Sequence, residues 1–371
     1  MITRFYVHNF RCLENFELNL KGMSSVLLIG NNGAGKSTIA TAMEILQQIG
    51  RGINRVGKLV QAKDFSRGDS SVPMRFELEI ILGGIVYEYT LAFELPENFK
   101  ELRVYEEKLV IAGHPVYSRK QAQVIFHPTP ESNDAQFLVD WHLVALSLIQ
   151  EPSGRSSLGT FRNWLAQTII LAPIPSLMHG ESSEETLEPT RDAANFGNWL
   201  SGVLASFPAA YLVIEIFLKQ PQFLPDFLDI QNPILGGNTK TLRVGFEKSG
   251  KKMNLSFSDL SDGEKCFFLC ALVVAANKFY GPLFCFWDEP DSHLALSEVG
   301  HFILALRRSF KHGGQLVITS HDAEAIQKFS NENTWLIYRR SHLEPACLKP
   351  LSDITIHGDI VDALIRGDVE P

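Results

Sequence analysis

Runs of apolar residues divide the 371-residue chain into strand-rich and helix-rich stretches. Phe16, Leu18 and Leu20 alternate with polar neighbours, which predicts that residues 1–20 form a hairpin. Over residues 74–127, short alternating segments are separated by glycine, proline and asparagine turns, as in an antiparallel meander. The pattern therefore predicts an antiparallel sheet in the N-terminal part of the chain.

Helical periodicity follows this meander. Residues 139–167 read as helical with a short buried strand after them, and a helix-rich insertion starts at residue 184. Between residues 196 and 207 the apolar and aromatic side chains recur on one helix face, which favours core packing over a ligand box. Strands return at 241–246 and 252–257.

A strand, a glycine loop and a helix carry the clearest chemical signal. The apolar run 25–29 precedes Gly30-Asn31-Asn32-Gly33-Ala34-Gly35-Lys36-Ser37-Thr38, and a helix-compatible stretch follows. Such a loop turns backbone N–H groups toward a phosphate, and the helix N-terminus adds partial positive charge. Lys36 would reach the β- and γ-phosphates and the Ser37 hydroxyl would ligate Mg²⁺. The flanking strand and helix disfavour the alternative, a chance glycine-rich turn.

A second motif precedes the apolar helix that begins near residue 262. Ser261 predicts a helix cap and Glu264 completes a capping box, which is a sufficient structural explanation. The functional alternative is an anion-binding surface, made by the Ser261 hydroxyl and the Gly263 amide, that receives a γ-phosphate held elsewhere.

Polar residues also follow two apolar strands in the C-terminal part. Asp288 and Glu289 end one strand, where Asp288 would support Mg²⁺ and Glu289 would orient or deprotonate the attacking water. His321 follows the other and could sense or polarise the γ-phosphate. The structural alternatives are an Asp-Glu-Pro turn and a histidine that only packs.

Charge and cysteine content restrict the remaining possibilities. A net charge of −8 and a pI near 5.8 give no global attraction to DNA, so a DNA contact needs a local basic cluster. Two clusters are candidates, although solvated surface is the alternative reading: Lys248, Lys251 and Lys252, and Arg307, Arg308 and Lys311. Among the five cysteines, Cys266 and Cys270 lie one helical turn apart without completing a zinc set, which predicts reduced core thiols.

The chain begins directly with a strand-like segment and has no apolar run of membrane-spanning length. We therefore expect a cytoplasmic protein without a membrane partner.

In this order, the four motifs resemble the Walker A, signature, Walker B and switch-histidine motifs of ABC-type ATPases. The opening residues 7–11 and the Leu-Ser-Asp-Gly-Glu signature make the chain more similar to the RecF and structural-maintenance-of-chromosomes (SMC) branch than to transporter ATPases. It resembles in particular the stand-alone AAA-family ATPases of prokaryotic anti-phage systems and the ATPase half of overcoming-lysogenization-defect nucleases.

The resemblance implies an α/β fold, a P-loop ABC-type ATPase head with an antiparallel N-terminal lobe and a helical insertion. The expected divisions are an N-terminal lobe at 1–183, the insertion at 184–235 and a C-terminal lobe at 236–371. Expected cofactors are ATP and Mg²⁺, with Ser37 and Asp288 at the metal and Glu289 and His321 as catalytic residues. The nucleotide would be held by Arg11, Gly30, Asn32, Gly33, Gly35, Lys36, Ser37 and Thr38.

The resemblance also implies a homodimer that forms on ATP binding. Ser261, Gly263 and Glu264 would act in trans on the partner's nucleotide, and residues 291–293 would form the D-loop at the dimer seam. The expected function is an ATP-hydrolysing switch coupled to a DNA-linked or anti-phage effector. A transporter-associated ATPase and a non-hydrolysing nucleotide sensor and scaffold are the alternatives.

The sequence departs from the family pattern in three ways. No clear Q-loop glutamine is present: residues 172–176 occupy its expected place, with Gln61 and Gln150 as uncertain substitutes. No long heptad coiled coil is present. The residues after 360 leave no room for an appended nuclease domain, so we expect any nuclease to be a separate polypeptide.

Overall fold

A computed structural model describes residues 1–127, 134–149, 157–236 and 239–354. Its α-helices are α1 (Lys36–Gly50), α2 (Val56–Leu59), α3 (Ser157–Gln167), α4 (Phe196–Ser206), α5 (Ala210–Leu218), α6 (Asp262–Tyr280), α7 (Leu296–Phe310) and α8 (Ala323–Gln327). No helix in these ranges combines the length and apolar character needed to cross a bilayer.

The strands of the N-terminal half are β1 (Ile2–His8), β2 (Phe16–Asn19), β3 (Ser25–Ile29), β4 (Met74–Leu82), β5 (Ile85–Glu94), β6 (Arg103–Ile111), β7 (His114–Lys120), β8 (Gln123–Phe126), β9 (Ala135–Leu138) and β10 (Ile169–Leu171). Those of the C-terminal half are β11 (Glu181–Ser182), β12 (Phe227–Gln231), β13 (Ile234–Gly236), β14 (Thr239–Thr241), β15 (Arg243–Lys248), β16 (Lys251–Ser256), β17 (Phe284–Trp287), β18 (Gln315–Thr319), β19 (Thr334–Tyr338) and β20 (Cys347–Pro350).

An antiparallel sheet forms the N-terminal lobe, with strand order β2-β1-β4-β5-β6-β7-β8-β9. The predicted hairpin is its β1–β2 pair, in which Phe5 lies opposite Leu18 and both side chains are buried. The predicted meander continues from β4 to β8. Alternating burial along β4 shows that one face of this sheet packs on the core, as the sequence pattern requires.

A mixed sheet holds the glycine loop, with strand order β10-β17-β18-β3-β19-β20. The first five strands run parallel, and β20 is antiparallel to β19. All five residues of β3 are buried, because strands flank it on both sides and layers cover both faces. The carboxyl ends of the parallel strands therefore meet at one edge of the sheet, where ligand sites collect in α/β folds.

The prediction of a helix over 139–167 is wrong for its first part. Of the described residues in this range, only those of α3 are helical; residues 139–149 form turns and irregular structure, and residues 150–156 lie outside the described part of the chain. The fully buried Glu107 carboxylate accepts hydrogen bonds from the amides of Ala145 and Leu146, at 2.7 and 2.8 Å. Because a side chain satisfies these amides, this segment packs on the lobe without forming a helix.

The prediction for 184–235 is also only partly right. Helices α4 and α5 form, but residues 184–195 are irregular and β12 and β13 follow the helices. The expected apolar face of α4 is buried through Phe196, Trp199 and Val203. The division into 1–183, 184–235 and 236–371 stays a prediction; the mixed sheet takes strands from both its first and third parts.

Helix α6 begins as the capping pattern predicts and is buried over most of its length. The Ser261 hydroxyl accepts from the Glu264 amide at 3.3 Å, and the Glu264 carboxylate accepts from the Ser261 amide at 2.7 Å. Cys266 and Cys270 are free and buried within it, and Cys285 is free and buried in β17, whereas Cys347 is free but exposed, so the prediction of core thiols is wrong for Cys347. Burial raises the pKa of Cys266 to about 12. Cys12 is also free, but it lies beside the glycine loop.

Candidate nucleotide-binding site

The glycine loop runs from the end of β3 to the start of α1 beside the backbone of β19. A Cβ placed on Gly30 would lie 2.0 Å from the Ile337 carbonyl oxygen, so a larger residue has no room there. Gly33 and Gly35 have φ angles of 79° and 118°, in the left-handed region that glycine adopts without strain. The loop thus has the backbone shape that the phosphate-binding prediction requires.

Lys36 folds back over this loop. Its buried ammonium donates to the Gly30 carbonyl at 2.7 Å and lies 2.7 Å from Nε2 of His321. Burial lowers the pKa of Lys36, while the nearby Glu289 and Asp288 carboxylates oppose that shift. Burial and the Lys36 charge lower the pKa of His321. A protonated Lys36 therefore donates to the Nε2 lone pair of a neutral His321.

The Asp288-Glu289 pair is tied to the neighbouring strand through Thr319. The Thr319 hydroxyl donates to the Asp288 carboxylate at 2.6 Å and accepts from the Glu289 amide at 2.9 Å. Glu289 has a φ of 48°, an uncommon backbone conformation for a non-glycine residue. Its carboxylate lies 3.4 Å from His321 Nε2. The predicted catalytic pair and Lys36 therefore lie in direct contact.

An open cleft with a cavity volume of about 340 Å³ lies above the loop. It is lined by Arg11, Cys12, Asn32, Gly33, Gly35, Lys36, Ser37, Thr38, Glu289 and Arg339. Except for Gly30, which lies beneath the loop, the predicted nucleotide-binding residues thus share one cleft. Arg11 is pinned at its edge, because its guanidinium donates to the Asp64 carboxylate at 2.9 Å and lies over the Phe10 ring.

The oxygen chemistry of the cleft fits Mg²⁺ and a polyphosphate. Ser37 is exposed, and within the described chain its hydroxyl has no hydrogen-bond partner. Asp288 and His321 are not among the residues that line the described cleft; Asp288 adjoins the lining residue Glu289 and keeps one carboxylate oxygen free of the Thr319 hydrogen bond. A hydroxyl and a carboxylate are hard oxygen ligands of the kind that Mg²⁺ takes beside phosphates.

The signature residues lie elsewhere. Neither Ser261 nor Gly263 lines the cleft of its own chain, within the ranges that the structure describes. Instead, a Cβ on Gly263 would lie 3.1 Å from the His293 carbonyl oxygen, and His293 Nδ1 lies 3.8 Å from the Asp262 carboxylate. The predicted D-loop, 291–293, therefore borders the start of α6.

Of the two glutamines considered for the Q-loop, only Gln61 lies within the described residues, and it does not line the cleft. Gln61 is exposed and caps the short turn at Ala62–Asp64, while Gln150 falls outside the described residues. Residues 172–176, the expected switch segment, instead approach the signature helix: the Lys265 ammonium donates to the Pro175 carbonyl at 3.2 Å.

Sequence reasoning missed three residues at the site. Thr319 belongs to no motif in the sequence. Its position at the end of an apolar strand, two residues before His321, could nevertheless have indicated that it lies at the site. Arg339 follows the end of β19 and lines the cleft. It is a polar residue after an apolar strand, as Asp288 and His321 are, and this position was a signal of the same kind. Arg191 donates to the Thr41 hydroxyl at 3.0 Å and to Glu44 at 2.9 Å, in the first turns of α1. No sequence pattern indicated that contact.

The candidate DNA contacts are partly neutralised. Arg307 packs over the Phe329 ring at 4.2 Å and donates to the Ser25 hydroxyl, so it does not share a free face with its cluster. In the other cluster, Lys248 and Lys252 form ion pairs with Asp226 and Glu247. DNA binding therefore stays a prediction, with less free positive charge than the sequence suggested.

Comparison with known proteins supplies a family and a fold. A family model described as "AAA domain, putative AbiEii toxin, Type IV TA system" matches residues 25–326. None of the curated proteins matches the sequence.

Solved SMC head domains have a similar structure. One is an SMC head bound to the C-winged helix domain of ScpA, with TM-score 0.56 and 13% identity over 94% of this chain and 98% of that chain. Another, from Pyrococcus furiosus, carries an extended coiled coil and is bound to the C-terminal domain of ScpA, with TM-score 0.54 and 12% identity over 95% and 96% of the chains. At these identities the likeness shows the fold, which confirms the expected α/β ATPase head.

Asp291 is a partly buried carboxyl between the site's two C-terminal loops. One oxygen accepts from the Ser320 hydroxyl at 2.8 Å, while the other is buried without a partner among the described residues. Burial raises the pKa of Asp291 to about 6. A folded-state pKa above the unfolded value of 3.8 means that stability falls as pH rises through this window, by about 3 kcal/mol.

We predict that Asp291→Asn stabilises the protein at pH 8, because asparagine cannot ionise. Its gain over wild type in the free energy of unfolding should grow by about 2 kcal/mol from pH 4 to pH 7 and then level off, because a small part of the effect is already present at pH 4. Urea denaturation across this range measures it. For the control Asp192→Asn the trend is opposite, because hydrogen bonds from the Ala194 amide and Thr190 outweigh burial and lower the pKa of Asp192. A gain for Asp291→Asn that does not vary with pH would contradict the assignment.

Proposed function

The chain belongs to the AAA-domain family described as a putative AbiEii toxin of type IV toxin–antitoxin systems, and we propose that it is an ATP-binding and ATP-hydrolysing switch that dimerises around the nucleotide. One observation carries the proposal: Lys36 and Glu289 line a cleft above the glycine loop, and His321 Nε2 contacts both of them, at 2.7 and 3.4 Å. A fold alone does not specify an activity, whereas this arrangement of a phosphate-binding loop, a carboxylate and a neutral imidazole does indicate one.

Each residue then has a role that follows from its chemistry. The amides of the loop and Lys36 bind the β- and γ-phosphates, and Ser37 and Asp288 hold Mg²⁺, which neutralises phosphate charge. Glu289 orients the attacking water and accepts its proton. Its contact with His321, at 3.4 Å, supports a role for the imidazole beside the γ-phosphate.

Lys36 links ATP binding to the state of His321. The His321 Nε2 lone pair accepts from Lys36, so this nitrogen carries no proton that it could donate to a phosphate oxygen. An anionic γ-phosphate attracts Lys36 and favours a protonated Nε2 on His321, which then donates to the same phosphate. ATP thereby replaces a hydrogen bond within the chain by two bonds to the ligand.

The position of the signature supports a site shared between two chains. Ser261 and Gly263 begin a helix whose N-terminus attracts anions, yet they lie outside the cleft of their own chain as described. A homodimer that places this helix start over the partner's γ-phosphate completes both sites at once.

We propose that dimerisation is the output that a separate effector reads. The toxin–antitoxin description of the matched family supports a role in prokaryotic defence, including anti-phage defence. The SMC heads bound to ScpA domains support a partner protein that binds the head. We favour an effector that is a separate protein such as a nuclease and that acts on DNA in the cytoplasm.

Two substitutions separate binding from hydrolysis. Lys36→Ala should weaken ATP binding by about 10- to 100-fold, because a charged contact to phosphate is lost. Glu289→Gln should bind ATP as wild type does but hydrolyse it at least about 100-fold more slowly, because the base for water is lost. Calorimetry and phosphate release measure the two effects. Wild-type turnover by Glu289→Gln would refute the assignment.

The shared site predicts ATP-dependent dimers. Glu289→Gln should accumulate as a dimer with ATP and Mg²⁺, because closure is allowed while the hydrolysis that reopens it is slowed. Adding Ser261→Arg should abolish this dimer without weakening ATP binding, because the arginine occupies the place of the partner's γ-phosphate. Sedimentation velocity measures both states.

The control for this experiment is Ser261→Ala in the same Glu289→Gln background. Alanine removes the cap of α6, at a cost of about 1 kcal/mol in stability, but adds no bulk. Dimers should persist with alanine and disappear with arginine. A Glu289→Gln protein that remains monomeric at saturating ATP would overturn the shared site.

A further inference from the structure

The cleft contains a cation to which the family motifs assign no role. Arg339 directly follows β19, the strand that pairs with β3 on the side opposite β18. Its side chain lines the same cleft as Lys36 and Arg11. It reaches this place because β19 runs parallel to β3, so the residues after both strands lie at the same edge of the sheet.

The Arg339 guanidinium is held in place by its own hairpin. Nε donates to the Glu344 carbonyl at 2.6 Å, and Nη2 donates to the His342 carbonyl. The hairpin tip is itself fixed, because Arg67 donates to the Leu343 carbonyl at 3.3 Å. The arginine is therefore oriented before any ligand arrives, which reduces the entropy cost of contacting one.

Arg339 also lacks a counter-charge. In the part of the chain that the structure describes, no carboxylate lies within ion-pair distance of it, whereas Arg11 pairs with Asp64 at 2.9 Å. Carbonyl oxygens orient the guanidinium but do not neutralise it. A fixed arginine without a carboxylate, beside a phosphate-binding loop, is suited to an anionic ligand.

Neighbouring contacts indicate which part of the nucleotide Arg339 meets. The hairpin is joined to the Arg11 side of the cleft, because the Ala346 amide donates to the Cys12 carbonyl at 2.8 Å. Cys12 in turn lies 3.7 Å from the Thr38 hydroxyl, in the first turn of α1. Glu289 and His321, which meet the γ-phosphate in the proposed function, belong to other loops.

We propose that Arg339 is a nucleotide-binding residue that contacts the α- and β-phosphates, the part that ATP and ADP share. The inference rests on the proposed function and deepens it, by adding a second cation to the phosphate site. It predicts that Arg339 increases the affinity for both nucleotides, because its contact does not depend on the γ-phosphate.

The test compares the Kd values of ATP and ADP for the full chain and its variants by calorimetry. Arg339→Ala should weaken both nucleotides about tenfold or more, by the same factor within twofold. Arg339→Lys should recover part of the loss, since it keeps the charge but not the planar geometry. The adjacent exposed Arg340→Ala is the matched control and should change neither Kd by more than about twofold.

A second control separates contact with the nucleotide from support of the hairpin. Arg67→Ala removes the tether of the hairpin tip to the Leu343 carbonyl but leaves Arg339 intact. Its Kd values should stay within about threefold of wild type. If Arg67→Ala weakens binding as much as Arg339→Ala, the role of Arg339 is structural and the proposal fails.

Other outcomes also decide the question. A loss of ATP affinity alone would place Arg339 at the γ-phosphate, and unchanged affinities would remove it from the site; either result overturns the proposal. If Lys36→Ala weakens ATP binding while Arg339→Ala does not, the proposed function stands and only this inference falls. If wild type binds neither nucleotide, both fail.

Discussion

The close approach of Gly30 to the carbonyl of Ile337 is the constraint on which the site depends. It fixes the glycine loop against β19, and β3 in turn lies buried between β18 and β19. Because the loop cannot move away from this edge of the sheet, the residues that follow the neighbouring strands converge on it. For this reason His321, after β18, contacts Lys36, and Arg339, after β19, lines the cleft above the loop.

Lys36, His321, Glu289 and Asp288 form a compact group in which opposite charges partly offset one another. The ammonium is buried, a neutral imidazole accepts one of its protons, and two carboxylates offset the cost of burying its charge. A polyphosphate can enter such a group by exchanging partners with Lys36. Arg191 connects α1 to the switch segment 172–176. Its side chain donates to the Thr41 hydroxyl in α1, and its carbonyl accepts from the amide of Ala172. That segment reaches the signature helix through Lys265.

The parts of the fold and site that the sequence predicted are those set by local chemistry. Glycine spacing predicted the loop, the Ser261 and Glu264 pair predicted the cap of α6, and apolar runs with polar ends predicted the positions of Asp288 and His321. The errors arose from contacts distant in sequence. The sequence pattern of residues 139–149 predicted a helix, but the buried Glu107 carboxylate accepts hydrogen bonds from amides of this segment. Arg339 could not be assigned, because its proximity to Lys36 depends on the sheet order.

The central claim is that each ATP site is completed by two chains, and a mixing experiment tests it most directly. Neither Lys36→Ala nor Ser261→Arg should hydrolyse ATP. Lys36→Ala loses a contact to phosphate, and Ser261→Arg blocks closure of the dimer. In a mixed dimer one site combines an intact Lys36 with an intact Ser261. With half of the dimers mixed and one of two sites intact in each, we expect about a quarter of the wild-type rate of phosphate release. Two inactive variants that stay inactive when mixed, or a Ser261→Arg protein that hydrolyses ATP at the wild-type rate, would contradict the account.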